Sequence, residues 1–334
     1  MSSPLLSVRN LTVEFTSDDG IVQAVTDLNY DLFAGETLAI LGESGSGKSV
    51  GAQAVMGLTP IPPGRIVSGS VLLENEELVG ASAKVLQRVR GDEIAMVFQD
   101  PLTSLNPVFP VGWQIAEALR LRGASRSDAF NKAVSLMERV GIPNAKRRAR
   151  QFPHQFSGGM RQRLMIAMAL GLDPKVLIAD EPTTALDVTV QAQIMELLQE
   201  LQDEVGMGMI LITHDLGVVA SVAERVLVMY GGRVVETARA DEFYARPGHP
   251  YSQGLLDSVP RLRAETGRLI PIPGIPPSVI HLPSGCSFHP RCPHADETCA
   301  AIRPDLEPFA ETGASITQRE VACLKTEEIH GSVA

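Results

Sequence analysis

Gly42-Glu43-Ser44-Gly45-Ser46-Gly47-Lys48-Ser49 decides how the rest of the chain is read. It meets every fixed position of the pattern G-x-x-x-x-G-K-S/T. The apolar, β-like run Thr37–Leu41 leads into it and a helical pattern follows, which is the context the pattern needs. Glycines let backbone N–H groups turn inward around phosphate oxygens, and a helix N-terminus adds favourable partial charge. Lys48 is then the group that reaches the β- and γ-phosphates of a nucleotide, and Ser49 a Mg2+ ligand. A Gly-rich turn with an incidental lysine is the plain alternative, and the agreement of strand, loop and helix argues against it.

A loop of this kind needs an acidic pair at the end of another strand. Val176-Leu177-Ile178-Ala179-Asp180-Glu181 supplies one. The buried strand delivers Asp180 to the carboxyl edge of a sheet, where ligands bind in open α/β folds. Asp180 suits a metal and Glu181 suits polarising an attacking water, since phosphoryl transfer asks for positioning and charge stabilisation. Further strands are expected at Ile94–Phe98, Met209–Thr213 and Val226–Tyr230. Val190, Ile194, Leu197, Leu198 and Leu201 recur at helical spacing and predict a helix near 188–204. Helices are also expected over 113–122 and Ala129–Val140. Such alternation implies a mainly parallel sheet wrapped by helices. Gly231-Gly232 before Val234–Glu236 reads as a tight hairpin.

The bulk numbers fit this α/β reading. The chain has 334 residues, 44% hydrophobic and 20% charged, enough for one large domain and a smaller one. Aromatics make up only 4%, so aliphatics and the 11 Met must build the core. A net charge of -10 argues against binding nucleic acid through its phosphates. No segment reaches the roughly 20 apolar residues of a membrane helix. Met1–Val8 lacks the charged and apolar regions of a secretory signal, so a cytosolic location is expected, with any membrane reached through partner subunits.

Phe156-Ser157-Gly158-Gly159-Met160-Arg161-Gln162-Arg163 lies just upstream of the acidic strand. Ser157 and two glycines at a helix start make a second anion-binding cap. This segment resembles the LSGGQ signature of ABC ATPases. The resemblance implies a P-loop NTPase of the ABC cassette type: a RecA-like parallel-sheet core, an antiparallel β subdomain, a helical subdomain at about 99–157, and here a loop-rich, four-cysteine C-terminal extension. It implies that two cassettes sandwich ATP head to tail, each signature serving the other's P-loop. Gln99 resembles the Q-loop glutamine, which senses Mg2+ and links to the membrane subunit. Asp187 resembles the D-loop aspartate, His214 the switch histidine at the γ-phosphate, and Phe15 the aromatic stacked on adenine. The implied catalytic set is Glu181, His214, Gln99 and Lys48. The implied nucleotide contacts are Phe15, Gly42, Glu43, Ser44, Gly45, Ser46, Gly47, Lys48, Ser49, Val50, Gln99, Asp180, Ser157, Gly158, Gly159 and Asp187, with Ser49, Gln99 and Asp180 on Mg2+.

Longer stretches narrow the resemblance. Phe98-Gln99-Asp100-Pro101-Leu102-Thr103-Ser104-Leu105-Asn106-Pro107, the run from Ala179 to Ile194, and His249-Pro250-Tyr251 look like the D-type ATPase of oligopeptide/dipeptide importers. In that family the chain pairs with an F-type ATPase and drives two transmembrane permease subunits fed by a substrate-binding protein, at the cytoplasmic face of the inner membrane. Residues 1–245 are expected to be the nucleotide-binding domain and 246–334 the extension. Met160 stands where the superfamily usually has Gln, and Phe15 replaces Tyr or Trp. Import of nickel or another small solute by the same subfamily is the nearest alternative. A soluble ABC ATPase of translation or DNA repair is a more distant one, since this chain has neither tandem cassettes nor long coiled coils.

The last 89 residues hold 12 of the 23 prolines and every cysteine. Prolines remove backbone donors, so a second strand–helix domain is not expected there. Cys286, Cys292, Cys299 and Cys323 are separated by 5, 6 and 23 residues, which matches neither the usual zinc nor the common ferredoxin spacings. Their grouping within 38 residues still favours joint ligation. The resemblance implies a 4Fe-4S cluster, because peptide-importer ATPases carry this Cys pattern after a segment such as Gly285-Cys286-Ser287-Phe288-His289-Pro290-Arg291-Cys292-Pro293. Zinc on the same thiolates and buried reduced cysteines are the alternatives. A Pro-rich tail that buries little apolar area by itself needs such a staple.

Overall fold

Apolar runs that end in turn residues become strands in the computed structural model, which describes residues 3–184, 186–259, 271–309 and 319–331. The elements begin β1 (Leu6–Ser17), β2 (Gly20–Leu32), β3 (Thr37–Leu41), α1 (Lys48–Val55), β4 (Gly64–Leu73), β5 (Glu76–Glu77), α2 (Ala83–Asp92) and β6 (Ile94–Val97). Next come α3 (Pro101–Ser104), α4 (Val111–Leu121), α5 (Arg126–Arg139), α6 (Ala145–Arg148), α7 (Gly158–Ala169), β7 (Val176–Asp180), α8 (Val188–Val205) and β8 (Gly208–Ile212). The chain ends with α9 (Leu216–Val222), β9 (Arg225–Tyr230), β10 (Arg233–Arg239), α10 (Ala240–Ala245), α11 (Pro250–Asp257), α12 (Glu297–Ala301), β11 (Glu307–Pro308), β12 (Glu320–Val321) and α13 (Thr326–His330). These elements form two compact units.

The first unit comprises Met1–Leu6, Leu32–Glu36 and Gly80–Ile212. In it β6, β7 and β8 pair in parallel, with Ile94 opposite Val176 and Val176 opposite Gly208. All their residues are buried, which is why each reads as a continuous apolar run rather than an alternating one. Two of the expected strands shift slightly at their ends, to Ile94–Val97 and Gly208–Ile212. The period-3.6 pattern also holds: α8 buries Ile194, Leu197, Leu198 and Leu201. Asp187 caps it by accepting from the Val190 N–H at 3.0 Å, and Gly206 ends it in the left-handed region. The helices expected over 113–122 and Ala129–Val140 are α4 and α5, each starting two or three residues earlier.

The second unit comprises Ser7–Asp31, Thr37–Val79 and Thr213–Ala334. One of its sheets has the order β2-β1-β4-β5, with β4 and β5 antiparallel. In the other, β3 lies parallel to β9, β9 antiparallel to β10, β10 to β12, and β12 to β11. The turn between β9 and β10 is the expected diglycine hairpin, with φ of 54° and 81° at Gly231 and Gly232. The Pro-rich tail adds strands to this sheet, which its composition did not suggest: Val321 lies opposite Glu236 and Glu320 opposite Thr237. It also shares the core. Tyr251 and Phe288 are buried in one cluster with Ala39, Leu41, Val226, Val228 and Tyr230. No helix among the described residues is long and apolar enough to cross a membrane.

Candidate functional site

The 42–49 loop joins β3 to α1, and at two of its glycines a side chain would not fit. Gly42 has φ 152°, and a Cβ there would lie 2.3 Å from the Met229 carbonyl oxygen. Gly47 has φ 99°, and its Cβ would meet the Ala24 carbonyl oxygen at 2.4 Å. Gly47 is also the N-cap of α1, whose first turn carries no acidic side chain and receives no side-chain cap. The positive end of that helix therefore faces the loop unneutralised. Lys48 folds over its own loop, donating to the carbonyls of Gly42 at 2.8 Å and Glu43 at 2.9 Å and more weakly to Ser46 Oγ at 3.4 Å. Ser49 and Val50 follow in the first turn of α1, half-buried. Ser44 and Gly45 are exposed at the loop tip, and Ser46 is buried.

Glu43 is held from the C-terminal extension. Its N–H donates to the Tyr251 hydroxyl at 2.8 Å. Its carboxylate receives both arms of the Arg291 guanidinium, at 2.6 and 3.0 Å. Hydrogen bonding to Glu43 holds the Arg291 guanidinium above its ordinary value, and burial pushes the Tyr251 phenol up. Sequence reading missed both partners. They lie 208 and 248 residues from Glu43, and no local pattern signals such a contact.

In the same unit Phe15 is half-buried near the end of β1. Its ring occupies space left by Gly64, where a Cβ would come within 2.9 Å of Phe15 Cε1. His214 is exposed in the turn that precedes α9. That turn is fixed on its far side. The Asp215 N–H donates to Thr213 Oγ1 at 3.0 Å, and the Asp215 carboxylate caps α9 by accepting from Gly217 and Val218 N–H groups.

The other unit carries the acidic pair. Asp180 ends β7 and is buried. Glu181 has φ 46°, a left-handed backbone that a glutamate rarely adopts, and its N–H donates to the Ile212 carbonyl at 2.8 Å. Strained backbone of this kind is a recurrent mark of functional positions. Glu181 Oε2 accepts from Gln99 Nε2 at 2.8 Å and from Thr184 Oγ1 at 2.9 Å. Two candidate residues 82 apart in sequence are thus brought into contact, because β6 and β7 are neighbours. Thr184 is a partner that sequence reading did not single out.

Ser157 is the N-cap of α7, accepting weakly from the Met160 N–H at 3.4 Å. Ser157, Gly158 and Asp187 are exposed or half-buried. Gly159 lets α7 approach α8 closely, since a Cβ there would fall 2.7 Å from Val190 Cγ1. Ala185, within the run from Ala179 to Ile194, lies outside the described residues.

Cys286, Cys292, Cys299 and Cys323 line one small cavity, together with His249, Phe288, His289 and His294. Burial pushes the Cys286 thiol up to about 11, with the other three thiols raising it further, and burial also raises Cys292 and Cys323. No group of three or more His, Cys, Asp or Glu among the described residues is placed to hold a metal ion. The expected 4Fe-4S cluster is therefore not supported by ligand geometry. His249 is a structural cap: burial depresses it to about 3, leaving a neutral ring whose Nδ1 accepts from the Tyr251 N–H at 3.0 Å.

Comparison with known proteins gives two family matches. Residues 25–184 match the model described as ABC transporter, and residues 235–299 match that of the oligopeptide/dipeptide transporter C-terminal region. The chain is 53% identical over 308 residues to the oligopeptide transport ATP-binding protein OppD of Haemophilus influenzae, covering 92% of this chain and 94% of that one. It is 50% identical over 301 residues to the dipeptide transport ATP-binding protein DppD of Bacillus subtilis, covering 90% of each. Among solved structures, a dimeric post-hydrolysis ATP-binding cassette bound to ADP and Pi superimposes with TM-score 0.63 at 29% identity, over 70% of this chain and 98% of the other. The cbiO1 protein of Clostridium perfringens, part of an ABC transporter complex, gives TM-score 0.63 at 31% identity over 73% and 92%.

Proposed function

The chain belongs to the ABC transporter family, among the ATP-binding proteins of oligopeptide and dipeptide importers, and from that premise we propose that it binds and hydrolyses ATP to drive peptide uptake. The observation that carries this reading is the loop at 42–49, whose two obligatory glycines and lysine form a phosphate cradle in front of an uncapped helix. Lys48 meets the β- and γ-phosphates. Gly42, Glu43, Ser44, Gly45, Ser46, Gly47 and Val50 surround them, and Phe15 stacks on the adenine. Ser49, Asp180 and Gln99 are the residues that would hold Mg2+, which when bound neutralises phosphate charge. Glu181 orients and polarises the attacking water, while His214 contacts the γ-phosphate. The contact between Gln99 and Glu181 supports giving them linked roles.

Ser157, Gly158, Gly159 and Asp187 serve the nucleotide of a second cassette. Their accessibility supports this, as does the dimeric neighbour with bound ADP and Pi. The second cassette is an F-type relative, and the pair sits on two permease subunits served by a substrate-binding protein, peripheral to the inner membrane. Residues 1–245 act as the cassette, with 99–157 coupling to the permeases. Phe98, Leu102, Val108 and Phe109 are exposed apolar side chains at or beside the start of that stretch, as a docking region requires. Residues 246–334 act as the extension, where Cys286, Cys292, Cys299 and Cys323 are the thiols that would hold a 4Fe-4S cluster or, failing that, zinc. What supports this is that all four line one cavity, although among the described residues they are not placed as a metal-holding group.

Glu181→Gln tests the hydrolytic role. In the assembled transporter, with the partner's ATPase site already disabled, ATP binding should persist and hydrolysis should fall at least about a hundredfold. Hydrolysis at the parent rate would remove Glu181 from its place.

A further inference from the structure

We propose that Arg291 and Tyr251, both in the C-terminal extension, are positioning residues for nucleotide binding: Arg291 neutralises the Glu43 carboxylate and turns it away from the phosphates, and Tyr251 fixes the Glu43 backbone within the loop that receives ATP. The inference rests on reading residues 42–49 as the ATP loop. Glu43 presents an electrostatic problem. A carboxylate in a loop built to attract phosphate repels the ligand unless it is neutralised and turned away. Arg291 does both with a bidentate fork, at 2.6 and 3.0 Å, the strongest geometry a guanidinium and carboxylate can adopt.

Arg291 is itself fixed before it meets Glu43. Its side chain is 5% exposed. Nε donates to the Pro273 carbonyl at 2.8 Å and Nη1 to the Tyr230 hydroxyl at 3.3 Å. The guanidinium carbon stands 5.9 Å from the Tyr230 ring centre and 6.0 Å from that of Phe288. A guanidinium held on these sides loses little further freedom on gripping Glu43. Tyr251 supplies an independent restraint on the backbone. It is fully buried, lies against Tyr230 and Phe288 with ring centres 4.6 and 5.4 Å away, and accepts the Glu43 N–H. Gly42, Gly45 and Gly47 make the loop conformationally permissive, so side chain and backbone clamps at the one residue between Gly42 and Ser44 limit where it can go. Cys292 follows Arg291 directly, so the strut begins one residue from the thiol cavity.

The test is equilibrium binding of mant-ATP with Mg2+ to the full chain. Arg291→Met should raise the dissociation constant about tenfold, because it leaves a carboxylate unpaired beside the phosphates. Arg291→Lys, keeping charge without the fork, should recover part of that loss. Tyr251→Phe should weaken binding about threefold. The deciding result is Glu43→Gln combined with Arg291→Met: removing the unpaired carboxylate should restore most of the affinity. Parent affinity in Arg291→Met overturns the proposal. So does a weakened Arg291→Met that Glu43→Gln fails to rescue, which would assign Arg291 to the folding of the extension alone. If Arg291→Met does not fold, Arg291→Lys with and without Glu43→Gln decides in the same way. Lys48→Ala is the control: binding at parent affinity there would overturn the reading of the loop itself, and this inference with it.

Discussion

At the scale of single residues, the site is defined by backbone that only some side chains tolerate. Gly47 shows this best, with φ 99° and a carbonyl oxygen 2.4 Å from where a Cβ would stand. The obstructing atom belongs to the backbone of Ala24 and cannot rotate away. Gly47→Ala should therefore lower the unfolding free energy by about 1–3 kcal/mol and abolish mant-ATP binding, measured by urea denaturation and fluorescence titration. Unchanged binding would mean that the loop does not need this backbone. Glu181 carries a related conformational cost at φ 46° without the relief of glycine, and its carboxylate is held there by Gln99 and Thr184.

At the scale of elements, two helices approach closely because one of them offers a glycine. The N-terminal turn of α7, with Ser157 to Gly159, packs beside that of α8, which Asp187 caps. Gly159 is the spacer: its missing Cβ is what lets Val190 fit, 2.7 Å from that position. Gly159→Ala should push the helices apart and cost about 1–3 kcal/mol of stability. Adding Val190→Ala should return most of it, because the clash is with one branched methyl group. Thermal unfolding of the two variants checks this, and no recovery in the double variant would locate the strain elsewhere. Periodicity alone made α8 legible, whereas the need for glycine at 159 was hidden, because it arises from a neighbour about 30 residues on, a contact that only packing creates.

At the scale of the whole molecule, the extension is part of the core that supports β3 and β9. Phe288 and Tyr251 fill one cluster with Leu41, Val228 and Tyr230, and Cys286 and Cys292 pack against it. If the four thiols ligate a common iron–sulfur cluster, replacing all four by Ser should remove visible absorbance from the anaerobically prepared chain and lower its thermal midpoint by several degrees. A colourless parent containing stoichiometric zinc would select zinc, and a metal-free parent of equal stability would leave only buried thiols.

Local pattern was enough to locate the phosphate loop, the acidic strand end, the helix over Val188–Val205 and the diglycine hairpin, because each is written in neighbouring residues through periodicity, glycine placement or apolar runs. The strands of the tail were not legible, since two-residue strands such as Glu320–Val321 carry no period and exist only because β10 offers an edge. Nor were the partners of Glu43 and Glu181. Residues 82, 208 and 248 positions apart meet only when the chain has folded, and it is burial and strand order, not spacing, that choose which carboxylate meets which donor.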